Sequence, residues 1–326
     1  MKKRIPAFLP TVAMIMAIIM MAAVSAACSG RSNRKPGDPA KAMLINQAMP
    51  NTLQTFVWGE FQRHKDEYGI EMTQFSGASD ASGEIAAIEQ AIEESYDVIF
   101  INTGNIEAVA PALTRAHGAG IVIGAFVSEM PENHHDIMHF FCGSDDYFGS
   151  RQAGEYVSRQ FPGGARFVEI GGQDGDEAQI NRRNGFREGI AQNIVELDSQ
   201  NAIGGWNPND ARAIMEGFLM AFGDDIDIVW CHWDQGAGAA IGATQAAGRN
   251  DIFIIGVDGG SAGLEQVRAG TQSLSIGQDF SSIVIQSLIN ARKILDGEGD
   301  EVVRINIIPH ILITSENVNT LSLPEW

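Results

Sequence analysis

Residues 97–126 read DVIFINTGNIEAVAPALTRAHGAGIVIGAF: an apolar run, a helix-like segment and a second apolar run. The flanking runs, Asp97–Ile101 and Ile121–Phe126, are continuous and rich in Val and Ile, which is typical of strands buried on both faces. The segment Ile106–Ala116 between them has the length of a crossover helix. This order predicts a βαβ unit, whose two strands lie parallel in one sheet.

The same alternation continues on both sides of this unit. Further strand-like runs are Ala42–Ile45, Met138–Cys142, Arg166–Ile170, Ile226–Cys231 and Ile252–Val257, and further helical stretches are Ser82–Ser95, Tyr147–Gln160, Asn181–Ala191, Ala211–Phe222, Ala237–Ala247 and Ala262–Ala269. The series pauses near Gly143–Gly149 and then restarts. There are too many strands for one comfortable sheet, so we predict an α/β fold of two similar lobes with parallel sheets.

The start of the chain has the features of an export signal. Lys2, Lys3 and Arg4 precede an apolar run over 12–23 and the small residues 25–27, and Cys28 follows at once. We interpret residues 1–27 as a signal peptide, Cys28 as a lipidated cysteine and 28–40 as a flexible tether to a membrane. Plain secretion and an uncleaved anchor remain alternatives, because Ser25 stands where lipoprotein signals usually have Leu. The apolar run is short for a spanning helix, which needs about 20 residues.

Composition excludes several classes of function. The chain has 41 acidic and 22 basic residues and a net charge of −19, which argues against nucleic acid as a partner. The sequence contains neither a P-loop nor a dinucleotide-binding fingerprint after a strand, and we expect no metal and no cofactor. Cys142 and Cys231 lie in apolar runs, which predicts buried free thiols.

Polar or aromatic residues follow the predicted strands, at Asn102-Thr103, Phe126-Val127-Ser128, Gly171-Gly172-Gln173, His232-Trp233-Asp234 and Asp258-Gly259. Ligands of parallel α/β sheets bind beyond the carboxyl ends of the strands. Two lobes that face each other across these ends would form a binding cleft.

The pattern resembles the periplasmic sugar-binding proteins of the ribose/galactose type, the receptors of ABC importers, over roughly residues 41–320. The phrases that carry the resemblance share the family's order and spacing: Asp97–Asn102; Gly143-Ser-Asp145 with Gly149; Arg182-x-x-Gly185-Phe186; Trp206 nine residues before Met215; His232-Trp-Asp234; Ile255-Gly-Val-Asp258-Gly259; and Ile276-Gly-Gln278-Asp279.

The resemblance implies a type I periplasmic binding fold, with two Rossmann-like lobes joined by a multi-strand hinge. The first lobe would comprise 41–143 and 279–307, and the second 144–278 and 308–326. The implied ligand-binding residues are Phe56, Thr103, Phe126, Ser128, Asn181, Arg182, Trp206, Trp233, Asp234, Asp258 and Gln278. Among them, Asp258 and Gln278 would bond sugar hydroxyls, and Trp206 and Phe56 would stack on the ring.

Two departures from the family concern the ligand. Val127-Ser128 stands where the family often has an Asp-Arg pair, and Trp233 stands where it has Asn. The cleft is therefore expected to be more apolar and more aromatic than a ribose or galactose site. A deoxy sugar, a methylated sugar and a non-sugar ring such as a nucleoside all remain open.

The expected function is that of a monomeric, lipid-anchored, extracytoplasmic receptor that closes on a carbohydrate and delivers it to an ABC permease, without catalysis. Two alternatives remain. One is a receptor that presents its ligand to a chemoreceptor or a sensor kinase. The other is a secreted serine hydrolase, because Gly259-Gly-Ser261-Ala-Gly263 matches a nucleophile elbow and His310 lies downstream as a candidate base.

Overall fold

The computed structural model of the protein describes residues 35–46, 52–75, 81–203 and 205–321. The predicted signal peptide, the lipidation site Cys28 and most of the tether lie outside these residues. Within the described part of the chain, no helix combines the length and the apolar character needed to cross a membrane.

The first of two sheets is parallel throughout and has the strand order β11-β5-β4-β3-β1-β2. Its strands are β1 (Ala40–Asn46), β2 (Ile70–Phe75), β3 (Val98–Asn102), β4 (Val122–Phe126), β5 (Phe140–Gly143) and β11 (Ile305–Ile307). We call this sheet and the helices packed on it the first lobe. Residues 97–126 form the predicted βαβ unit, since β3 and β4 pair in parallel with Val98 opposite Val122.

The second sheet has the order β12-β10-β9-β8-β6-β7 and defines the second lobe. Its strands are β6 (Ala165–Gly171), β7 (Ile194–Asn201), β8 (Ile228–Cys231), β9 (Phe253–Asp258), β10 (Leu274–Gly277) and β12 (Ile311–Ile313). All pairs are parallel except β10 with β12. The predicted class, two α/β lobes on parallel sheets, is confirmed.

Helices cover both faces of each sheet. The first lobe carries α1 (Thr52–His64), α2 (Ala81–Glu93), α3 (Ile106–Gly118) and α9 (Phe280–Leu295), and the second carries α4 (Asp146–Gln160), α5 (Glu177–Gly189), α6 (Pro208–Phe222), α7 (Asp234–Ala246) and α8 (Ser261–Arg268). Several begin at an Asn or Asp whose side chain accepts a backbone N–H, as at Asp145, Asp176 and Asp279.

The chain passes between the lobes three times: from β5 to α4, from β10 to α9 and from β11 to β12. The first and third crossings pack against each other, since Gly149 of α4 lies against the ring of His310. A Cβ at Gly149 would come within 2.7 Å of Nδ1 of that ring. The three crossings form the multi-strand connection between the lobes that the resemblance implied.

The strand-like runs named from sequence omit five strands: β2, β7, β10, β11 and β12. All of these except β10 lie at the edge of a sheet. The edge strands β2 and β7 are mostly half-buried or exposed, so their sequences IEMTQF and IVELDSQN carry polar residues. A criterion based on continuous Val and Ile passes over these edges, and it also misses the buried interior strand β10, whose four residues LSIG are too few to show such a run. Cys142 and Cys231 lie in central strands and are buried free thiols, as predicted.

Candidate ligand-binding site

A cleft between the lobes lies at the carboxyl ends of the strands. Its empty space, part of it open to solvent, measures about 450 Å³. Six of the predicted site residues line it: Ser128, Arg182, Trp206, Trp233, Asp258 and Gln278. The cleft is also lined by Leu53, Val127, Ala178, Gln235 and Phe280.

Two tryptophans form an aromatic corner. The rings of Trp206 and Trp233 meet edge to face, with centroids 5.6 Å apart and an interplanar angle of 88°. Trp206 lies directly on Gly172 after β6, where a Cβ would come within 2.3 Å of the indole, so any larger residue would displace the ring. Indole faces suit the C–H surfaces of sugar rings and other flat ligands.

Arg182 is the cation at the centre of the site. Its Nε donates to Oδ1 of Asp146 at 2.8 Å, and its Nη1 donates to the carbonyl oxygen of His232 at 2.6 Å. The guanidinium carbon lies 5.4 Å from the centroid of Trp206. The carboxylate that pairs with Arg182 is therefore that of Asp146.

Helix packing brings Asp146 to Arg182. Helices α4 and α5 can approach closely because Gly185 has no side chain. A Cβ at this position would lie only 2.1 Å from the carbonyl oxygen of Tyr147. Burial raises the pKa of the Asp146 carboxyl, although the charge of Arg182 opposes the shift. Asp146 was not predicted as a site residue, because no local sequence motif distinguishes it. Its role depends on the contact between α4 and α5.

Asp258 is a buried carboxylate with few partners in the described structure. Its Oδ1 accepts a long hydrogen bond of 3.4 Å from Gln278 and lies 4.0 Å from Nη1 of Arg182. Burial raises its pKa well above the ordinary value, despite the opposing charge of Arg182. Its backbone φ of 118° is strained for a residue with a Cβ. A ligand that donated hydrogen bonds here would relieve the poor solvation of the carboxylate.

Two further polar atoms of the cleft residues are buried without a hydrogen-bond partner among the described residues. They are Oε1 of Gln278, an acceptor, and Nε1 of Trp233, a donor. Unpaired buried polar atoms are costly, and each one calls for an explanation such as an absent ligand or water. Together with Asp258, they offer both donors and acceptors to a polyhydroxylated molecule.

Asp234 was predicted as a ligand contact, but its carboxylate is directed away from the cleft. It accepts hydrogen bonds from Oγ of Ser275, Nε2 of Gln272 and the backbone N–H of Gly259. Burial raises the pKa of Asp234 to about 6. Its bond to Gly259 ties α7 to the turn that follows Asp258, so Asp234 supports the site from behind.

The structure does not bring four other predicted residues to the cleft wall. Phe126 is fully buried in the first-lobe core, where its ring meets Phe61 edge to face. Phe56 packs on the same core, and Leu53, one turn earlier on α1, lines the cleft instead. Asn181 precedes Arg182 but is not among the lining residues. Thr103 donates to Glu84 and borders a separate gap between the lobes.

This second gap, about 290 Å³, is lined by Glu129 from the first lobe and Glu177 from the second. Burial raises the pKa of both carboxyls. The lobes also touch directly, because Ser128 donates to Asp176 at 3.4 Å and Gln173 donates to the carbonyl oxygen of Gly104 at 3.4 Å. Gln235 likewise donates to Thr52 across the cleft. The structure is therefore a closed arrangement of the lobes.

The fold and the cleft define the class of two-lobed binding proteins, and comparison with known proteins gives the family. Residues 42–299 match the periplasmic binding protein domain, and the chain belongs to that family, as its sequence pattern implied. The members it resembles are solute-binding proteins and not enzymes, so the hydrolase alternative built on Ser261 is not supported.

Individual relatives are distant but cover most of the chain. The ribose import binding protein of Escherichia coli K12 is 26% identical over 242 residues, which are 73% of this chain and 78% of that protein. A xylitol-binding protein of Mycolicibacterium smegmatis is 24% identical over 256 residues, 77% of this chain and 70% of its own. A solute-binding protein of Bacillus halodurans C-125, solved with bound myo-inositol, has a TM-score of 0.79, 24% identity and coverage of 87% and 98%.

Proposed function

We propose that this protein is an extracytoplasmic receptor that captures a small sugar or sugar-like molecule between its lobes and delivers it to an ABC permease. The observation that carries the proposal is the cleft itself. A buried carboxylate (Asp258), a guanidinium (Arg182) and an amide (Gln278) converge beside two indole rings. Relatives named for ribose, xylitol and D-xylose support a polyhydroxylated ligand.

The proposed mechanism is hinge closure. A ligand that contacts both lobes binds the closed form more tightly than the open one, so it shifts the equilibrium toward closure. The permease then recognises surfaces of both lobes in their closed arrangement. No reaction is required, because release follows reopening.

The site residues proposed to contact the ligand are Ser128, Arg182, Trp206, Trp233, Asp258 and Gln278. The lobe limits proposed from sequence fit this mechanism. They are 41–143 with 279–307 for the first lobe and 144–278 with 308–326 for the second, and they place Ser128 in the first lobe and the other proposed contact residues in the second. The proposed monomeric state also fits, since one chain holds the whole cleft.

A thermal-shift screen of residues 29–326 tests the binding function. The probes are D-ribose, D-xylose, D-allose, xylitol, myo-inositol, the common hexoses and nucleosides. At a hundredfold excess over Kd, a specific ligand stabilises the folded state by about 2.7 kcal/mol, enough to raise Tm by several degrees. The hit is expected to be lost in Asp258→Ala and Trp206→Ala.

The matched controls are Asp251→Ala and Trp58→Ala. Asp251 is exposed and pairs with Arg249 away from the cleft, and Trp58 packs on the first-lobe core. Both variants are expected to keep the ligand shift. A screen without any hit, or a hit that survives Asp258→Ala, would contradict the proposed site.

The proposed anchor has its own test. We expect the full chain expressed in a lipoprotein-processing bacterium to partition into the detergent phase of Triton X-114 extracts, and Cys28→Ala to move it to the aqueous phase. Plain secretion predicts the aqueous phase for both proteins. An uncleaved anchor predicts the detergent phase for both, with a chain that retains residues 1–27.

A further inference from the structure

The polar groups of the cleft are unevenly divided between the lobes. Among the described residues, the first lobe lines the cleft with the carbon side chains of Leu53, Val127 and Phe280 and one hydroxyl, Ser128. That hydroxyl already donates to Asp176 across the gap. The charged and amide groups, Arg182, Asp258, Gln235 and Gln278, line the remaining wall. A ligand therefore meets hydrogen-bonding groups on one side and mainly carbon on the other.

Val127 has the most unusual backbone conformation in the apolar wall. Its φ is 65°, in the left-handed region, where a β-branched residue is a genuine outlier. The conformation is held by the hydrogen bond from its N–H to the carbonyl oxygen of Cys142 at 3.0 Å and by the bond from Ser128 N–H to Phe126 at 2.9 Å. Glycine, Asn or Asp would occupy this turn with less strain.

A strained residue persists where its surroundings or its function require it, and such residues cluster at ligand sites. Val127 is buried, with 7% of its surface exposed, and it borders the cleft. The turn alone does not require an isopropyl group, since the backbone bonds would form with Asn as well. What valine adds at this point is an apolar side chain that packs with the first-lobe core and also borders the ligand space.

We infer that Val127 is a specificity-determining residue and that the ligand turns a deoxygenated carbon, a CH₂ or CH₃ of a deoxy sugar, toward it. The inference rests on the proposed binding function. A hydroxyl pressed against Val127 would lose its water without gaining a partner, whereas a methyl group would lose only unfavourable hydration. Discrimination of this kind is about tenfold to a hundredfold in affinity.

Isothermal titration with matched sugar pairs tests the inference. Each pair differs by one hydroxyl: L-fucose and L-galactose, D-fucose and D-galactose, L-rhamnose and L-mannose, 2-deoxy-D-ribose and D-ribose. In the best-bound pair, the deoxy sugar is expected to bind at least tenfold more tightly. Val127→Thr keeps the branched shape and the backbone strain but adds a hydroxyl, and it is expected to reduce that preference at least fivefold.

The control for the substitution is Val195→Thr, on an exposed position of β7, which is expected to keep the preference. Val127→Asn provides a second variant, which relieves the backbone strain and is also expected to lose the preference. Equal or tighter binding of the hydroxylated member, or a preference that survives both Val127 variants, overturns the inference but leaves the binding function intact. Failure of every sugar to bind overturns both.

Discussion

The two lobes share one architecture and differ in what they bury. Both lobes have aromatic contacts in their cores, such as Phe61 on Phe100 in the first lobe, with centroids 4.9 Å apart, and Phe186 on Trp230 in the second, with centroids 4.8 Å apart. The second lobe buries ions: Arg182 with Asp146, and Glu169, whose carboxylate contacts Arg183 at 2.5 Å and Arg187 at 2.9 Å. Sheet topology therefore does not determine the chemistry of a lobe.

The buried charges of the second lobe and the carbon-lined wall of the first suit the two lobes to different roles in ligand binding. Buried charges need fixed partners, because desolvation is costly, and a fixed network holds a guanidinium in one orientation. The second lobe is therefore suited to orient the polar groups of a ligand before closure. The first lobe, with its carbon-lined wall, is suited to cover the ligand and exclude water.

The largest effect that we expect from this difference between the lobes is on the free energy of unfolding. Arg182→Met leaves Asp146 and Asp258 buried without their cation, so we expect a loss of about 3–5 kcal/mol in the free energy of unfolding at pH 7. Urea denaturation at constant m measures it. The first-lobe control is Arg115→Met, which breaks the exposed pair with Glu89 and should cost about 1 kcal/mol or less.

The loss in Arg182→Met has a definite pH dependence. Burial already raises the pKa of Asp146 and Asp258, and removal of the cation raises both further. Because acids with raised pKa stabilise the folded state at low pH and lose that contribution as pH rises, the deficit of the variant should shrink on acidification. Equal losses for Arg182→Met and Arg115→Met would refute the contrast between the lobes.

A second pair of substitutions compares two aspartates near strand ends. Asp234→Ala leaves Ser275, Gln272 and the Gly259 N–H without their acceptor, and we expect a loss of about 3 kcal/mol. Asp279→Ala removes the cap of α9, where the carboxylate accepts from Ser282, and should cost about 1 kcal/mol. Thermal unfolding of both variants gives the comparison, and a reversed order would argue against the supporting role of Asp234.

A smaller effect concerns closure itself. Burial in the closed structure raises the pKa of Glu129 and Glu177 above 4.5, with Asp145 adding to the shift at Glu129 and Asp176 to that at Glu177, while His135 opposes it at Glu129. The closed form therefore binds protons more tightly, and ligand affinity should fall as pH rises through and above 4.5. Titration of the best-binding sugar between pH 4 and pH 8 measures this trend.

Glu177→Gln removes one of the two negative charges that line the gap between the lobes. The variant should therefore show a flatter pH dependence of ligand affinity and bind the ligand more strongly at pH 7. Glu94→Gln, on an exposed position in the turn after α2, is the control and should change neither quantity. A pH profile that stays the same in Glu177→Gln would show that the gap between the lobes has no part in closure.

The smallest effect is expected from Ser128→Ala. The Ser128–Asp176 hydrogen bond is long, 3.4 Å, and links the lobes only in the closed form. Its loss should weaken ligand affinity less than threefold, by calorimetric titration, and leave Tm unchanged. A loss above tenfold would indicate that the Ser128 hydroxyl makes a strong hydrogen bond to the ligand, and it would argue against a mainly apolar wall on the first lobe.

Much of the fold follows from sequence because central strands and crossover helices have local signatures. Residues such as Val98 and Val122 lie in runs whose apolar continuity marks burial on both faces, and the alternation with helices sets parallel pairing. Positions at the strand ends, such as Asp258 and Trp233, follow from the same pattern. The edge strands β2 and β7 did not, because half-exposed strands carry polar residues. The short strands β10, β11 and β12 did not either, because three or four residues show no continuous apolar run.

Tertiary structure alone decided how those positions are used. Asp234 and Asp258 both follow strands in sequence, yet hydrogen bonds from Ser275 and Gln272 turn Asp234 into a support and leave Asp258 at the cleft. The pairing of Arg182 with Asp146 depends on the close contact of α4 and α5, and the strain at Val127 on backbone bonds to a neighbouring strand. These are contacts between segments distant in sequence, and no local pattern encodes them.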